Sequence, residues 1–362
     1  MTTLRDLSRH LGLSVTQVSR ALNGHSDVKQ ETRERVIAAA RALRYQPNLS
    51  ARTLATGRSG MVGLVMQGKP TSPTEEYFVE MLTELSAFFS QRERQFVLHI
   101  AGVQEDIIDV YRRLVDGGGI AGFVLLSPSR RDPRVSFLEE RKVPYVLHGR
   151  IDEGPDAPIC PFYDIDNRAL GDILTGHLIA HGHERIAFLN GPPDLTYSEW
   201  RRQGYERTLR AAGLPVDPAL HHYGDMTEAF GMVTTLRLMS GPCPPTAIIT
   251  GNTLIAKGAY QTITALGLRI GHDISVISHD DALPSIYPAT FHPALTSTYS
   301  PLAHSWLPIA ELLLNRLDGA PPKSLQILGE TAFIPRDSVG PCPESARISQ
   351  PPASASAPSG QR

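Results

Sequence analysis

The sequence is poor in the features that define several large classes of protein, and each shortage is informative. It has 3 cysteines, Cys160, Cys243 and Cys342. An odd number at wide, irregular spacing fits neither a disulfide framework nor a zinc site, so they read as buried or inert thiols. The longest apolar runs, such as 123–126 and 247–250, are strand-sized. Nothing approaches the roughly 18 residues of a membrane span. The first nine residues carry charge and no apolar stretch, so no export signal is expected and the expected compartment is the cytoplasm. No G-x-S-x-G, Walker loop or Cys-His pair is present, which leaves an enzyme without a nucleophile, a base or a phosphate cradle. Gly117, Gly119 and Gly122 satisfy G-x-G-x-x-G, but they precede a strand-like run, whereas a dinucleotide fingerprint follows one. His181, His183 and Glu184, and His221 with His222, lack a matching ligand set elsewhere and read as solvent-exposed histidines. No metal, no cofactor and no enzymatic activity are expected.

What is present is a chain of 362 residues, long enough for a small module joined to a large two-lobed one. Its net charge of -2 conceals an asymmetry. Residues 1–58 hold 10 Lys/Arg against 4 acids, a net of +6, while the remainder holds 25 basic against 33 acidic residues, a net of -8. The two parts face different partners.

In the basic part, Thr3 and Asp6 mark a helix start, Leu4, Leu7 and Leu11 one apolar face, and Gly12 its end. Ser14 and Gln17 form a second capping box, followed by Val15, Val18, Ala21 and Leu22 until Asn23-Gly24 breaks the pattern. Two short helices around a tight turn make a helix-turn-helix. A third helix is expected over about residues 30–44, with Val36, Ala40 and Leu43 inward and Arg33, Arg35, Arg41 and Arg44 outward. The second helix of such a unit enters the major groove. Val15, Thr16 and Arg20 then face base edges, Arg20 being the side chain suited to bidentate reading of guanine, while Ser14, Gln17 and Ser19 sit toward phosphates. A small basic three-helix bundle without DNA affinity is the plainer alternative; charge, caps and turn spacing together favour DNA.

The stretches LRDLSRHLGLSVTQVSRALNG, ETRERVIAAARALRYQPN and LSARTLATGRS resemble, collinearly, the headpiece and hinge of the LacI/GalR family of bacterial transcriptional regulators. Lys29 stands where the family usually has Ser as cap of the third helix. Between Pro47 and Gly57, Asn48 is a candidate cap for a helix of about two turns, too short to be stable alone. The resemblance implies a hinge helix that orders in the minor groove of a dimer-bound operator, with Leu54 as the apolar wedge. Asn23, Asn48 and Ala51 complete the set placed against DNA.

From Met61 onward, apolar runs at 61–66, 94–101, 121–127, 144–149, 185–191, 246–252 and 273–281 alternate with helical stretches at 75–93, 105–117, 133–141, 166–181, 198–212, 227–240 and 254–266. Such alternation implies parallel sheets covered on both faces, with ligands at the strand ends. Two half-sized sheets fit the count, with the poorly patterned segment 149–163 at the crossing between lobes. This part, through FYDIDNRALGDILTGHLIAHGHERIAFLNGP, TAIITGNTLIAKGAY and GLRIGHDISVISHDD, resembles the periplasmic-binding-protein-like effector domain of the same family. The resemblance carries effector contact onto Arg201, Asn252 and Asp280, residue types that grip adjacent hydroxyls. Asp281 and Ser278 are alternatives at the same strand end, with Asp280 preferred as the residue directly after the strand, and Arg202 reads equally as surface charge. Tyr197, Trp200, Met226 and Tyr299 fit pocket walls and plain packing about equally. The chain departs from the family pattern at Ser278-His279, at Trp306, and at Gly149-Arg150 in place of a strand-end acid.

The expected organisation is therefore an all-α headpiece (1–46), a hinge (47–58), a two-lobed α/β effector and dimerisation domain with parallel sheets (59–339), and a Pro/Ser/Ala-rich disordered tail (340–362). The implied function is a homodimeric, sequence-specific regulator, with repression as the expected mode, that binds a pseudo-palindromic operator under control of a sugar or glycoside. A solute-binding protein of the same fold is the alternative, and the basic headpiece counts against it.

Overall fold

The computed structural model describes residues 2–22, 27–43, 45, 60–68, 75–152, 154–155 and 157–343. Asn23, Asn48, Ala51, Leu54, the expected hinge helix and the tail beyond Pro343 lie outside the described residues. The chain divides into two units, Met1–Gly60 and Met61–Arg362.

In the first unit, α1 (Leu4–Leu11) and α2 (Val15–Leu22) start at their caps, and α3 (Gln30–Ala42) follows. The Thr3 hydroxyl accepts from Asp6 N at 3.3 Å while the Asp6 carboxylate accepts from Thr3 N at 2.9 Å, and Gly12 ends α1 at φ 66°, where a side chain would be strained. Lys29 gives α3 no side-chain cap. Leu7, Val18, Ala21, Val36, Ala39 and Ala40 are buried together. The Thr2 hydroxyl donates to Leu43 O at 2.8 Å and ties the chain start to the end of α3.

The second unit has two 6-stranded sheets. In chain order it contains β1 (Met61–Gln67), α4 (Glu75–Ser90), β2 (Gln95–Ala101), α5 (Ile107–Asp116), β3 (Ile120–Leu126), α6 (Pro133–Glu140), β4 (Tyr145–His148), β5 (Phe162–Ile165), α7 (Asn167–Ala180), β6 (Ile186–Asn190), α8 (Thr196–Ala211), β7 (His221–Tyr223), α9 (Glu228–Met239), β8 (Ala247–Thr250), α10 (Thr253–Ala265), β9 (Ser275–Asp280), β10 (Thr296–Tyr299), α11 (Trp306–Leu317), β11 (Gln326–Gly329) and β12 (Ala332–Ile334). The sheets run β11-β5-β4-β3-β1-β2 and β12-β10-β9-β8-β6-β7. All pairings are parallel except β10 with β12. Central strands such as β8 are buried along their whole length, as sheets covered on both faces require. The seven strands and seven helices expected from the apolar runs are all present, with ends shifted by a few residues.

The lobe crossing differs from expectation. Segment 149–163 does not cross: it leads into β5, a strand of the first sheet, and the chain passes to the second lobe at the start of α7. The acid Asp164 inside this four-residue strand hides its apolar pattern. Returns through α11 and β11, then β12, complete the connection between the lobes.

Two glycines set the geometry beside this crossing. A Cβ at Gly171 of α7 would lie 2.3 Å from Arg201 O, and one at Gly204 of α8 2.1 Å from Arg168 O. The two helices therefore touch backbone to backbone, which brings the first turn of α7 against Arg201.

The folded unit also extends past residue 339. The buried His183 ring sits 3.1 Å from Gly340 O, and Cys342 N donates to His181 O at 2.9 Å. His183 is thus a core residue with Thr246 and Ser275 at its nitrogens, correcting its reading as solvent-exposed. His221 is half-buried, stacked on Phe188 and Tyr223. Cys160 and Cys342 are buried and Cys243 is exposed. Gly117 and Gly119 occupy the turn from α5 into β3 and Gly122 lies within β3, the wrong side of the strand for a nucleotide. No described helix is long and apolar enough to cross a membrane.

Candidate functional site

On α2, Val18 and Ala21 face the core, so helical spacing turns the intervening residues out. Val15 is 40% exposed, Thr16, Gln17 and Arg20 are exposed, and Ser19 is half-buried. Ser14 spends its N–H and hydroxyl on the Gln17 carboxamide at 3.1 and 3.2 Å, so these two residues hold the helix start as well as facing outward. Arg20 Nη2 lies 2.6 Å from Asp27 Oδ2. An exposed pair of this kind exchanges readily for a stronger acceptor.

In the second unit, a cavity of about 590 Å³ opens between the strand ends of the two sheets. Arg201, Asn252, Tyr197 and Met226 all line it. Arg201 is buried, with Nε donating to Asn167 Oδ1 at 2.8 Å and Nη1 to Gly251 O at 2.8 Å, and its guanidinium lies over the Tyr197 ring. Burial lowers its pKa, opposed by Asp281, Tyr197 and Asp164. Asn252 caps α10, accepting from Ile255 N at 3.0 Å and donating to Met226 O at 3.3 Å.

Asp280 is the exception, and its expected placement is corrected. It is absent from the cavity lining; its carboxylate accepts from Ala282 N at 2.8 Å, and burial pushes it up to about 6. Asp281 faces the cavity instead, with Oδ1 3.0 Å from His279 Nε2. The reason is the alternation of a strand continued past its end: His279 and Asp281 share one side and Asp280 takes the other. Burial opposes the Asp281 charge, but His279 and Arg201 outweigh it and hold the group below its usual range.

Sequence reasoning did not place His148, Arg150, Asp164, Asn167 or His279 at the cavity, yet all line it. Arg150 Nε donates to Asp164 Oδ2 at 2.8 Å. His148 packs on Trp306 with ring centroids 5.3 Å apart, and burial holds it neutral, down to about 4. The departure noted at Gly149-Arg150 was the available signal: a cation substituted at a strand end needs an anion, and Asp164 supplies it. Phe78, Met81, Ile107, Leu126 and Leu302 add apolar surface to the lining, alongside further polar residues such as Gln67, Asp132, Arg134 and Asp225. Trp200 and Tyr299 are not in the lining; Trp200 is core and Tyr299 is 36% exposed. Arg202 pairs with Glu199 and Glu206 on the helix surface.

A cavity of this shape between two parallel-sheet lobes, on a chain that also carries a helix-turn-helix unit, defines a transcriptional regulator with a sensing domain. Residues 3–48 match the model for bacterial regulatory proteins of the lacI family, and residues 175–339 the periplasmic binding protein-like domain. The chain is 38% identical to the HTH-type transcriptional regulator AglR of Rhizobium meliloti (strain 1021), covering 96% of this chain and 97% of that one. It is 34% identical to the HTH-type transcriptional regulator RafR of Escherichia coli, over 93% and 98%. Among solved structures it is similar to the transcriptional regulator CelR in complex with cellobiose, at 30% identity, a TM-score of 0.66 and coverage of 93% and 100%. The lac repressor dimer bound to operator shares the fold, with a TM-score of 0.72 at 24% identity. The chain belongs to the lacI family of bacterial regulatory proteins and is a DNA-binding transcriptional regulator.

Proposed function

We propose that the protein is a cytoplasmic, homodimeric repressor whose hold on a pseudo-palindromic operator is set by a carbohydrate in the interlobe cavity, and that it has no catalytic role. The observation that carries the carbohydrate reading is the convergence of the Arg201 guanidinium, the Asn252 amide and the Asp281 carboxylate on one cavity that apolar side chains also line. A forked donor, a mixed donor-acceptor and a fixed acceptor match vicinal hydroxyls, and apolar side chains match the C–H faces of a sugar ring or a glycoside substituent. The similarity to a regulator solved with cellobiose supports the same class.

For DNA, Val15, Thr16 and Arg20 read base edges, and Ser14, Gln17, Ser19, Asn23, Asn48 and Ala51 position the headpiece, with Leu54 as the wedge. The dimer reading is supported by α9, where Met232, Val233 and Leu236 are 41, 60 and 49% exposed on neighbouring turns. A ligand that binds the two lobe arrangements unequally changes operator affinity by that difference.

The deciding experiment is a thermal-shift screen of mono- and disaccharides on the full chain, followed by duplex binding with and without the hit. A sugar that raises the melting point and changes duplex affinity is expected. A duplex-binding protein that no sugar stabilises would overturn the effector reading and leave the DNA reading standing.

A further inference from the structure

Trp200, one of 2 tryptophans in the chain, is 1% exposed, and two guanidiniums lie over its ring, Arg150 at 4.2 Å and Arg168 at 4.3 Å. They differ in origin. Arg168 belongs to α7, in the same lobe as Trp200, and its Nε donates to Gln203 at 2.9 Å. Arg150 follows β4 in the other lobe and reaches across the junction. Its Nε pairs with Asp164 at 2.8 Å and its Nη2 donates to Ile165 O at 3.4 Å.

From Asp164 the contacts continue to the cavity. Asp164 Oδ1 accepts from Asn167 Nδ2 at 3.1 Å, and the same amide nitrogen donates to Ile165 O at 3.3 Å. An amide has one donor end and one acceptor end. With the nitrogen taken by two acceptors, the oxygen is left for Arg201 Nε, 2.8 Å away. The carboxylate and the Ile165 carbonyl together therefore decide which end of Asn167 meets the guanidinium.

We propose that Arg150 is a positioning residue of the effector cavity: by pairing with Asp164 it fixes the Asn167 amide, and through that amide it aims Arg201 at the ligand. The proposal rests on the reading of Arg201 as an effector contact. The charged and titratable groups that face Asp164 are Arg150, Arg201 and the Tyr163 phenol. Without Arg150, a buried carboxyl keeps only the more distant Arg201 and favours its protonated form. The carboxyl then has no fixed donor at Oδ2 to hold it, so Oδ1 shifts from Asn167 Nδ2, and the amide, kept only by its bond to Ile165 O, no longer holds its oxygen on Arg201 Nε. Arg201 then keeps its Nη1 bond to Gly251 O while the partner of its Nε is no longer fixed.

The test uses the full chain and needs no ligand at first. The Arg201 Nε–H resonance is identified by its disappearance in Arg201→Lys, then followed in Arg150→Met, Arg150→Lys and Arg168→Met. Both methionine variants remove a cation from Trp200 and change its emission. Only Arg150→Met breaks the path to Asp164, so the Arg201 resonance is expected to move in that variant, to stay in Arg168→Met, and to return toward the wild-type position in Arg150→Lys. The double variant Arg150→Met/Asp164→Asn, which leaves no unpaired buried charge, carries the same expectation should the single one fail to fold. An Arg201 resonance unmoved in Arg150→Met or the double variant overturns the proposal.

With the sugar that most raises the wild-type melting point, Arg150→Met is expected to weaken binding roughly tenfold, the cost of one lost charge-assisted hydrogen bond, and Arg168→Met to leave it within about twofold. Equal weakening in both means that stacking on Trp200 alone matters, and overturns the proposal. If no sugar shifts the wild type, the effector reading of Arg201 falls while the resonance still decides the role of Arg150.

Discussion

Asp281 Oδ1 lies 3.0 Å from His279 Nε2 at the cavity, while the adjacent Asp280 is turned away to a backbone amide. Two neighbouring acids therefore have separate tasks. Asp281→Asn is expected to weaken carbohydrate binding by about 1.5–3 kcal/mol, the range for a hydrogen bond to a charged group, and to lower the melting point, because its charge is favoured by His279 and Arg201. Asp280→Asn is expected to leave binding alone and to raise stability at neutral pH. Its carboxyl is pushed up to about 6, above the unfolded value, so the folded state is penalised as pH rises through that interval and the neutral amide escapes the penalty. Calorimetric titration of both variants checks the first half and melting curves at pH 5 and 7.5 the second. Ligand loss in Asp280→Asn but not in Asp281→Asn would reverse the assignment.

His183 gives a pH dependence of opposite sign. Its ring is fully buried against Thr246, Ser275 and Gly340, and burial lowers it to about 4. The unfolded chain takes up a proton near pH 6.5 and the folded chain does not, so stability is complete above 6.5 and is lost as pH falls toward 4. The full span is on the order of 3 kcal/mol for a depression of this size. His148 and His221, also lowered to about 4, act in the same direction. His183→Gln keeps a polar partner and removes the titration. Its melting point is expected to start lower at pH 7.5 and to fall less steeply between pH 6.5 and 4.5 than that of the wild type. Parallel curves would show that this ring does not titrate on unfolding.

Much of this was readable in advance, for identifiable reasons. Caps such as Thr3 with Asp6 and apolar runs such as 247–250 are local signals, and the elements they mark are where local chemistry puts them. Asn252 caps the helix after an apolar strand and Arg201 lies in the second turn of another such helix, so their approach to a strand-end cavity could be inferred. Asp281 rather than Asp280 meets the cavity because side-chain alternation continues past the last bonded residue of β9, which a residue count from the strand end does not show. Arg150, Asp164 and Asn167 were not legible as a group, since their contacts depend on a lobe crossing set by a four-residue strand and a glycine-to-glycine helix contact. Such contacts have no period in the sequence.

That helix contact is itself testable. Gly204→Ala would place a Cβ 2.1 Å from Arg168 O and 2.9 Å from Asp172 N. Both are backbone atoms that cannot rotate aside, so α7 and α8 must separate, at a cost of about 1–3 kcal/mol or more. Because Arg201 is one turn away, carbohydrate binding is expected to weaken as well. Gly176→Ala on the same α7 is the control: its Cβ would meet only Thr208 Cγ2, at 3.8 Å. Alanine there relieves the helix of a glycine and is expected to be neutral or to add about 0.5–1 kcal/mol. Similar losses in the two variants, measured by denaturant unfolding, would mean that close approach is not what the crossing requires.

The headpiece prediction concerns Arg20, whose guanidinium is held by Asp27 at 2.6 Å. Duplexes selected from a random pool by the full chain supply the target. Reading of a guanine by this side chain means that Arg20→Ala costs about 1–3 kcal/mol on the selected sequence and flattens preference at one position in each half-site. Binding to unrelated duplex should fall far less, because the other basic residues of 1–58 still neutralise phosphates. Salt separates the two effects. Affinity for any duplex is expected to drop steeply between about 50 and 200 mM salt in both proteins, with the same slope. If Arg20→Ala loses affinity equally on every sequence and its salt slope flattens, Arg20 contacts phosphate rather than a base, and sequence reading must rest on Val15 and Thr16.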